Sequence, residues 1–330
     1  MTTTPNQIEF STLADKSLAG QVLTRSECSA VLKAPDSEVL HLLNETYRVR
    51  RHFCGNKVHL HVLMNAKSGL CPEDCGYCSQ SRVSSAPIEK YPMVSQEKLL
   101  EEARAAKRSQ AKRFCIVTSG RGASWREVEY LADSTRKIRN EIDIKICACV
   151  GLLDEEKARA LKEAGVDQLN HNLNTSESFT PNIVTSHGYH DRIETLRSAR
   201  AAGLNLCSGA IFGMGESTED VIDVLMALVE LDPQSIPINF LHPIDGTPLE
   251  GIWELTPYHC LRILCLARLL HPSREIRVAG GRELHLRSLQ PLSLFAANSI
   301  FVEGYLTTPG QGTQEAMQMI EDMGFEVEEE

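Results

Sequence analysis

The chain has 330 residues, 42% of them hydrophobic and 24% charged, which suits one globular unit with a sizeable core and excludes a disordered chain. Its formal charge of −10 argues against nucleic-acid and anionic-membrane partners, because phosphate binding rests on clustered Lys and Arg. No run approaches the roughly 18 apolar residues of a spanning helix, no basic segment leads into an apolar one at the N-terminus, and eleven cysteines in a chain this large favour reduced thiols, so a cytoplasmic protein is expected.

Residues 1–57 are expected to form an N-terminal helical extension. Ser26 is placed to cap one short helix and Asp36 a second, in which Val39, Leu40, Leu42, Leu43 and Tyr47 recur at helical spacing. From residue 58, short β-rich runs alternate with longer amphipathic segments. The runs cover 58–65, 113–118, 145–150, 168–173, 204–212, 235–241, 275–279 and 298–302. Ser95, Ser124, Asp154 and Ser217 sit where helices between them would start, and Gly165 and Gly203 where two would end. Eight such alternations predict an α/β fold, a (β/α)8 TIM-type barrel over 58–325, rather than an open doubly wound sheet. The acidic tail 326–330 reads as a solvated end.

The loop after the first strand is Cys71-Pro-Glu-Asp-Cys75-Gly-Tyr-Cys78-Ser-Gln-Ser, a C-x3-C-x2-C spacing that aims three thiols at one point. Three thiolates suit Zn²⁺ or an iron–sulfur cluster, but closed zinc sites pair one C-x2-4-C with a second, and no second pair occurs. Three ligands to a cubane leave one iron for a small molecule, with Tyr77 beside it. In a (β/α)8 barrel this loop opens onto the functional face.

Cys115, Cys147, Cys149 and Cys207 fall in the second, third and fifth predicted strands, where side chains alternate with a period of two. Cys147 and Cys149 share a face, and periodicity does not choose between them. A lone strand cysteine is ordinarily a small core residue, yet three strands here each offer one. Cys260 and Cys265 in a helical run, and Cys28 and Cys54, read as packing. Ile276 and Val278 would face the helices, which turns Arg277 to the barrel axis, where it needs an anion; Arg282, just beyond, is its rival. Asn170, Asn172 and Asn174 alternate at the end of the fourth strand and offer amides to a ribose or a urea-like ring, although such a cluster also makes turns. The glycine-rich stretch from Gly209 to Glu216 lacks a dinucleotide fingerprint. His59, His61 and His171 read as structural histidines.

The pattern C-x3-C-x-aromatic-C resembles the radical S-adenosylmethionine (AdoMet) superfamily. Further segments narrow it: Leu169-Asn-His-Asn-Leu-Asn-Thr-Ser176, Cys207-Ser-Gly, Ile236-Pro-Ile-Asn239, Asp245-Gly-Thr-Pro-Leu249, Ile276-Arg-Val-Ala-Gly-Gly-Arg-Glu283 and Ala297-Asn-Ser-Ile-Phe301. Together they resemble the biotin synthase family over nearly the whole chain. The resemblance implies a homodimeric barrel that inserts sulfur into dethiobiotin, fed by a reducing donor such as flavodoxin or ferredoxin. It implies that Cys71, Cys75 and Cys78 hold a [4Fe-4S] cluster that chelates AdoMet. Cys115, Cys147, Cys207 and Arg277 would hold a [2Fe-2S] cluster, which selects Cys147 over Cys149 and Arg277 over Arg282. Tyr77 would lie against the adenosine, Asn172 and Asn174 would reach the ribose, and Asn170, Asn172 and Asn239 would line the dethiobiotin ring. Some relatives carry Asp where this chain has Asn174, so the ribose contact here would lack a charge. Competing readings are another radical AdoMet enzyme on the same barrel, a maturase or mutase, and a noncatalytic zinc-binding protein.

Overall fold

Ten parallel strands organise residues 9–328, the part of the chain that this computed structural model describes. They are β1 (Lys57–Lys67), β2 (Arg113–Thr118), β3 (Lys145–Cys149), β4 (Gln168–Asn170), β5 (Asn205–Cys207), β6 (Ala210–Phe212), β7 (Ser235–Phe240), β8 (Glu275–Val278), β9 (Ser299–Phe301) and β10 (Glu326–Val327). Pairing runs from β1 through β5 to β7, β8 and β9, and β9 returns to β1, so the sheet closes into the expected eight-position barrel. Buried on both faces, the strands bring apolar side chains outward against the helices. On β7 Ile236, Ile238 and Phe240 join the main hydrophobic cluster, and Ser235, Pro237 and Asn239 alternate with them.

One predicted strand, 204–212, is two. Pro237 gives β7 no amide hydrogen at its centre, and Gly209 lies so close that an added Cβ would stand 1.8 Å from the Pro237 carbonyl oxygen. The chain therefore breaks between β5 and β6, and the Gly209 amide donates to Asn172 Oδ1 at 3.1 Å instead. The fourth strand also stops early, at Asn170, three residues short of the expectation. Asn174, four residues beyond, adopts φ 72° and rejoins the sheet through an isolated parallel bridge to Ala210.

Ser95, Ser124, Asp154 and Ser217 cap the barrel helices as expected, each accepting a backbone N–H from the third helical residue. In the extension two caps differ. Thr24 caps Arg25–Leu32 through a reciprocal bond with Glu27, so Ser26 lies inside the first turn. Asp36 opens only the short turn Asp36–Glu38 and pairs with Arg262 of the helix Pro257–Leu270, which draws its carboxylate away from a cap. The helix Val39–Cys54 packs on Pro257–Leu270. Two buried arginines tie that layer to the barrel: Arg50 donates to Lys57 O at 2.8 Å, and Arg268 to Ala296 O at 2.8 Å and Asn298 Oδ1 at 2.7 Å.

The acidic tail, expected to be solvated, is docked over its described part. β10 adds to β1, Glu326 pairs with Lys57, and Glu328 pairs with Lys112 and with His59 at 2.7 Å. The cations at the strands' N-terminal end attract it. Residues 1–8, 329 and 330 lie outside the described part. No helix among the described residues is long and apolar enough to cross a membrane.

Candidate active site

A cavity of about 300 Å³ opens at the C-terminal ends of the strands and runs down the barrel. Cys71, Cys75 and Cys78 line it near the mouth; Cys115, Cys147, Cys207 and Arg277 line it deeper. Every cysteine in the chain is a free thiol.

The mouth thiols are held by a loop pinned from outside. Gly76 N donates to Ile183 O at 2.8 Å. Asp74 accepts from the Thr185 and Ser186 amides at 2.9 and 3.0 Å and from the Thr185 hydroxyl at 2.5 Å, and the Thr185 hydroxyl first, then these amides, keep its carboxyl far below the usual range. Glu73 accepts from Ser186 Oγ at 2.6 Å, from His187 and from Arg121 at 3.2 Å. Burial pushes all three thiols up, Cys78 to about 12, so a metal cation is needed to keep them as thiolates. That donor set fits a metal centre.

The deeper thiols come from three strands. Cys115 faces Cys147 across β2 and β3, and Cys207 faces Asn170 across β4 and β5. The three form one buried cluster with Leu63 and Phe301, and Cys147 stands between the other two. Interaction with the Cys147 thiol, opposed by burial and helped by Arg277, holds Cys207 below the ordinary thiol value, whereas Cys147 itself is pushed up. Cys149 lies one layer nearer the mouth, and burial drives its thiol to about 12.

Arg277 is 1% exposed and points inward from β8, as the alternation requires. Its guanidinium lies 4.9 Å over the Phe301 ring, and Nη1 reaches Cys207 Sγ at 3.7 Å. Burial disfavours its charge, but Glu275 and the thiols more than restore it. Arg282 is equally buried yet donates to Glu283 at 2.8 Å and to Phe301 O at 3.2 Å, outside this cavity.

The asparagines converge on the same space. Asn170 Nδ2 donates to Cys207 Sγ at 3.2 Å, and Asn174 Nδ2 to Tyr77 Oη at 2.5 Å. Asn239 is locked by Ala210 O at 3.1 Å and Gly280 N at 3.0 Å. The glycine-rich stretch does not open toward the cavity as a whole: Glu216 closes it by accepting from Gly213 N and Met214 N at 2.7 Å, and only Ile211 lines the space.

Several lining residues gave no warning in the sequence. Arg192 donates to Asn172 O at 2.9 Å and contacts His187 at 2.6 Å; it sits in the helix Tyr189–Ala201 among ordinary surface charges, without a spacing that marks it. Tyr305 packs edge-on against Phe301 with centroids 5.4 Å apart, and Thr307 meets Ser79 at 2.8 Å, so the segment after β9 covers part of the mouth. Its place after the last strand is the one signal that pointed there.

Residues 67–228 match the Radical SAM superfamily, and residues 237–326 match the Biotin and Thiamin Synthesis associated domain. Biotin synthase of Bacillus subtilis (strain 168) is 55% identical over 96% of this chain and 94% of that protein, and biotin synthase of Geobacillus kaustophilus (strain HTA426) is 54% identical over 96% and 95%. Among solved structures, methylornithine synthase superposes with a TM-score of 0.84 over 96% of this chain and 97% of its own, at 21% identity. The FeFe-hydrogenase maturase of Carboxydothermus hydrogenoformans gives 0.83 over 97% and 79%, at 18% identity. At those identities the structures speak for the barrel alone. The sequence relatives go further, because more than half of the residues are shared along almost the full length: this chain belongs to the biotin synthase family of radical SAM enzymes.

Proposed function

We propose that this cavity inserts sulfur into dethiobiotin to give biotin, with a [4Fe-4S] cluster and AdoMet at Cys71, Cys75 and Cys78 and a [2Fe-2S] sulfur donor at Cys115, Cys147, Cys207 and Arg277. The observation that carries this reading is the presence of two sets of free thiols at two depths of one cavity. When bound, such groups supply a 5′-deoxyadenosyl radical and a sulfide, which saturated carbon–hydrogen bonds require and no side-chain acid or base provides. The chain's own residues bind, orient and exclude water. Tyr77 lines the cavity beside Cys75 and Cys78 and would flank the adenosine, Asn172 and Asn174 would offer amides to its ribose, and Arg192 would offer a cation to the carboxylate of AdoMet. Asn170, Asn172 and Asn239 line the same cavity and would suit a urea-like ring, which both donates and accepts. Leu63, Val117, Ile211, Phe301 and Tyr305 keep the space between apolar and dry. A low-potential donor such as flavodoxin or ferredoxin, and a homodimeric assembly, belong to the same reading.

Ligand spacing weighs against a single zinc ion. Tetrahedral zinc with bonds of about 2.3 Å needs its sulfurs about 3.8 Å apart. Among the described residues, the one group of three or more such ligand atoms within 4.8 Å of one another is His59, His61 and Glu275, so neither cysteine set closes that tightly. Clusters span more. Anaerobic reconstitution with iron and sulfide, followed by AdoMet, dethiobiotin and a reductant, should yield both 5′-deoxyadenosine and biotin. Deoxyadenosine without biotin, from protein carrying no iron beyond one cubane per chain, would overturn the sulfur-donor half.

A further inference from the structure

Beneath the deeper sulfur layer lies a second polar set: buried His61 from β1, Arg113 from β2 and Ser235 from β7, with the partly buried His59 of β1 and Glu275, two residues before Arg277 on β8. With a strand period of two, Glu275 shares the inward face with Arg277 and stands one layer below it. His59, His61 and Glu275 are close enough to suggest a metal site, but cations already surround them. Arg277 pairs with the carboxylate, Arg113 stands 3.9 Å from it, and Lys112 Nζ is 3.2 Å from His59 Nε2. A further cation there would face three positive groups.

The contacts of Arg277 divide its guanidinium in two. Nε donates to Ser299 Oγ at 3.1 Å. Nη2 donates to Ser235 Oγ at 2.9 Å and to Glu275 Oε1, and lies 3.3 Å from His61 Nε2. Nη1 has one contact here, Cys207 Sγ. Glu275 is itself fixed: Ser235 Oγ donates to Oε1 at 2.8 Å, and Oε2 lies 2.9 Å from His59 Nδ1. The carboxylate therefore cannot follow the guanidinium; the guanidinium must come to it.

We propose that Glu275 is the positioning residue for Arg277: it fastens Nη2 to the barrel floor and so leaves Nη1 presented to the centre held by Cys115, Cys147 and Cys207. Arginine carries several free torsions, and a planar fork placed on two hydroxyls and a carboxylate loses them before any metal arrives. The inference rests on the reading that the deeper thiols and Arg277 hold an iron–sulfur centre. It adds why an arginine stays there at all, since three neighbouring sulfurs and a stacked Phe301 do not by themselves choose which nitrogen faces them.

The test compares the parent holoenzyme with Glu275→Ala and Glu275→Gln, each reconstituted anaerobically. The visible and electron paramagnetic resonance signatures of the deeper centre are recorded, together with its half-life under an iron chelator. The cubane in each sample serves as internal reference, and thermal unfolding reports on the fold. Removing the outer partner of a metal ligand commonly costs about 10- to 100-fold in metal retention. Glu275→Ala should alter the deeper centre's spectrum and shorten its half-life by that range, leaving the cubane signal in place. Glu275→Gln, which keeps an acceptor for Nη2 without the charge, should fall between. If the alanine variant does not fold, the glutamine variant decides. A deeper centre with the parent's spectrum and half-life in the folded variants would overturn the proposal. A parent protein with no second centre would instead overturn the reading beneath it.

Discussion

Asn174→Asp isolates what a charge adds at the end of the site proposed to hold the ribose. The backbone there is pinned on both sides, since Asn174 N donates to Gly209 O at 3.1 Å and its carbonyl accepts from Ile211 N at 2.7 Å. Aspartate tolerates the φ of 72° as asparagine does, so the substitution changes little but the terminal atoms. In the parent, Nδ2 donates to Tyr77; in the variant the carboxylate accepts from Tyr77 instead. A hydrogen bond to a charged group contributes about 1.5–3 kcal/mol against about 0.5–1.5 for a neutral one, a gain of about 1 kcal/mol at a ribose hydroxyl. That corresponds to about fivefold tighter AdoMet. The cost falls on the empty enzyme, where a carboxylate at a position only 5% exposed has Tyr77 as its one side-chain donor, so thermal stability should drop modestly. Equilibrium binding of AdoMet to the reconstituted protein measures the first effect, with Asn174→Ala as the opposite arm, expected to bind several-fold more weakly. Unchanged binding in both variants would remove Asn174 from the ribose contact.

Cys75→Ala should assemble no intact cubane and cleave no AdoMet, and deoxyadenosine formation by that variant would count against the mouth assignment. Gly209→Ala should destabilise the protein by about 3 kcal/mol or more, because its Cβ would meet a backbone oxygen that cannot step aside; a melting temperature equal to the parent's would show that β5 and β6 are not held as described. The Asp220 carboxyl, which burial would raise, is held at about 2 by the hydroxyls of Ser176, Ser217 and Ser178 and the Ser217 amide. Its folded value thus lies below the unfolded value of about 3.9, so its contribution is full above that pH and is lost as pH falls towards 2. Asp220→Asn should flatten the acid limb of the melting curve between about pH 4 and 2, and identical limbs would contradict this.

The barrel was legible because a parallel sheet buried on both faces writes itself as separate apolar runs, and Ile276 and Val278 beside Arg277 already fixed which way the arginine turns. The three-cysteine loop was legible because its geometry is local. What escaped depended on partners distant in the chain. The break between β5 and β6 is caused by Pro237, and Asp36 gave up its cap to Arg262. The tail read as solvated because its own charges repel, whereas Lys57, Lys112 and His59 wait for it at the strand ends. Thr24 is a different case: Thr24 and Glu27 already stood at capping-box spacing, and the neighbouring Ser26 was the wrong choice.

The two thiol sets are held by different physics. Cys71, Cys75 and Cys78 ride on a loop whose shape is imposed from outside, by Glu73 and Asp74 gripping the segment 183–187. Cys115, Cys147 and Cys207 are fixed by strand ladders, with Glu275 below setting the arginine among them. A mouth that must admit and release a cofactor benefits from loop-borne ligands, which can adjust as it binds. On the proposed reading the deeper centre presents one atom to a substrate carbon and so needs ligands that do not move, and the interior of a closed barrel is where side chains have the least freedom to do so.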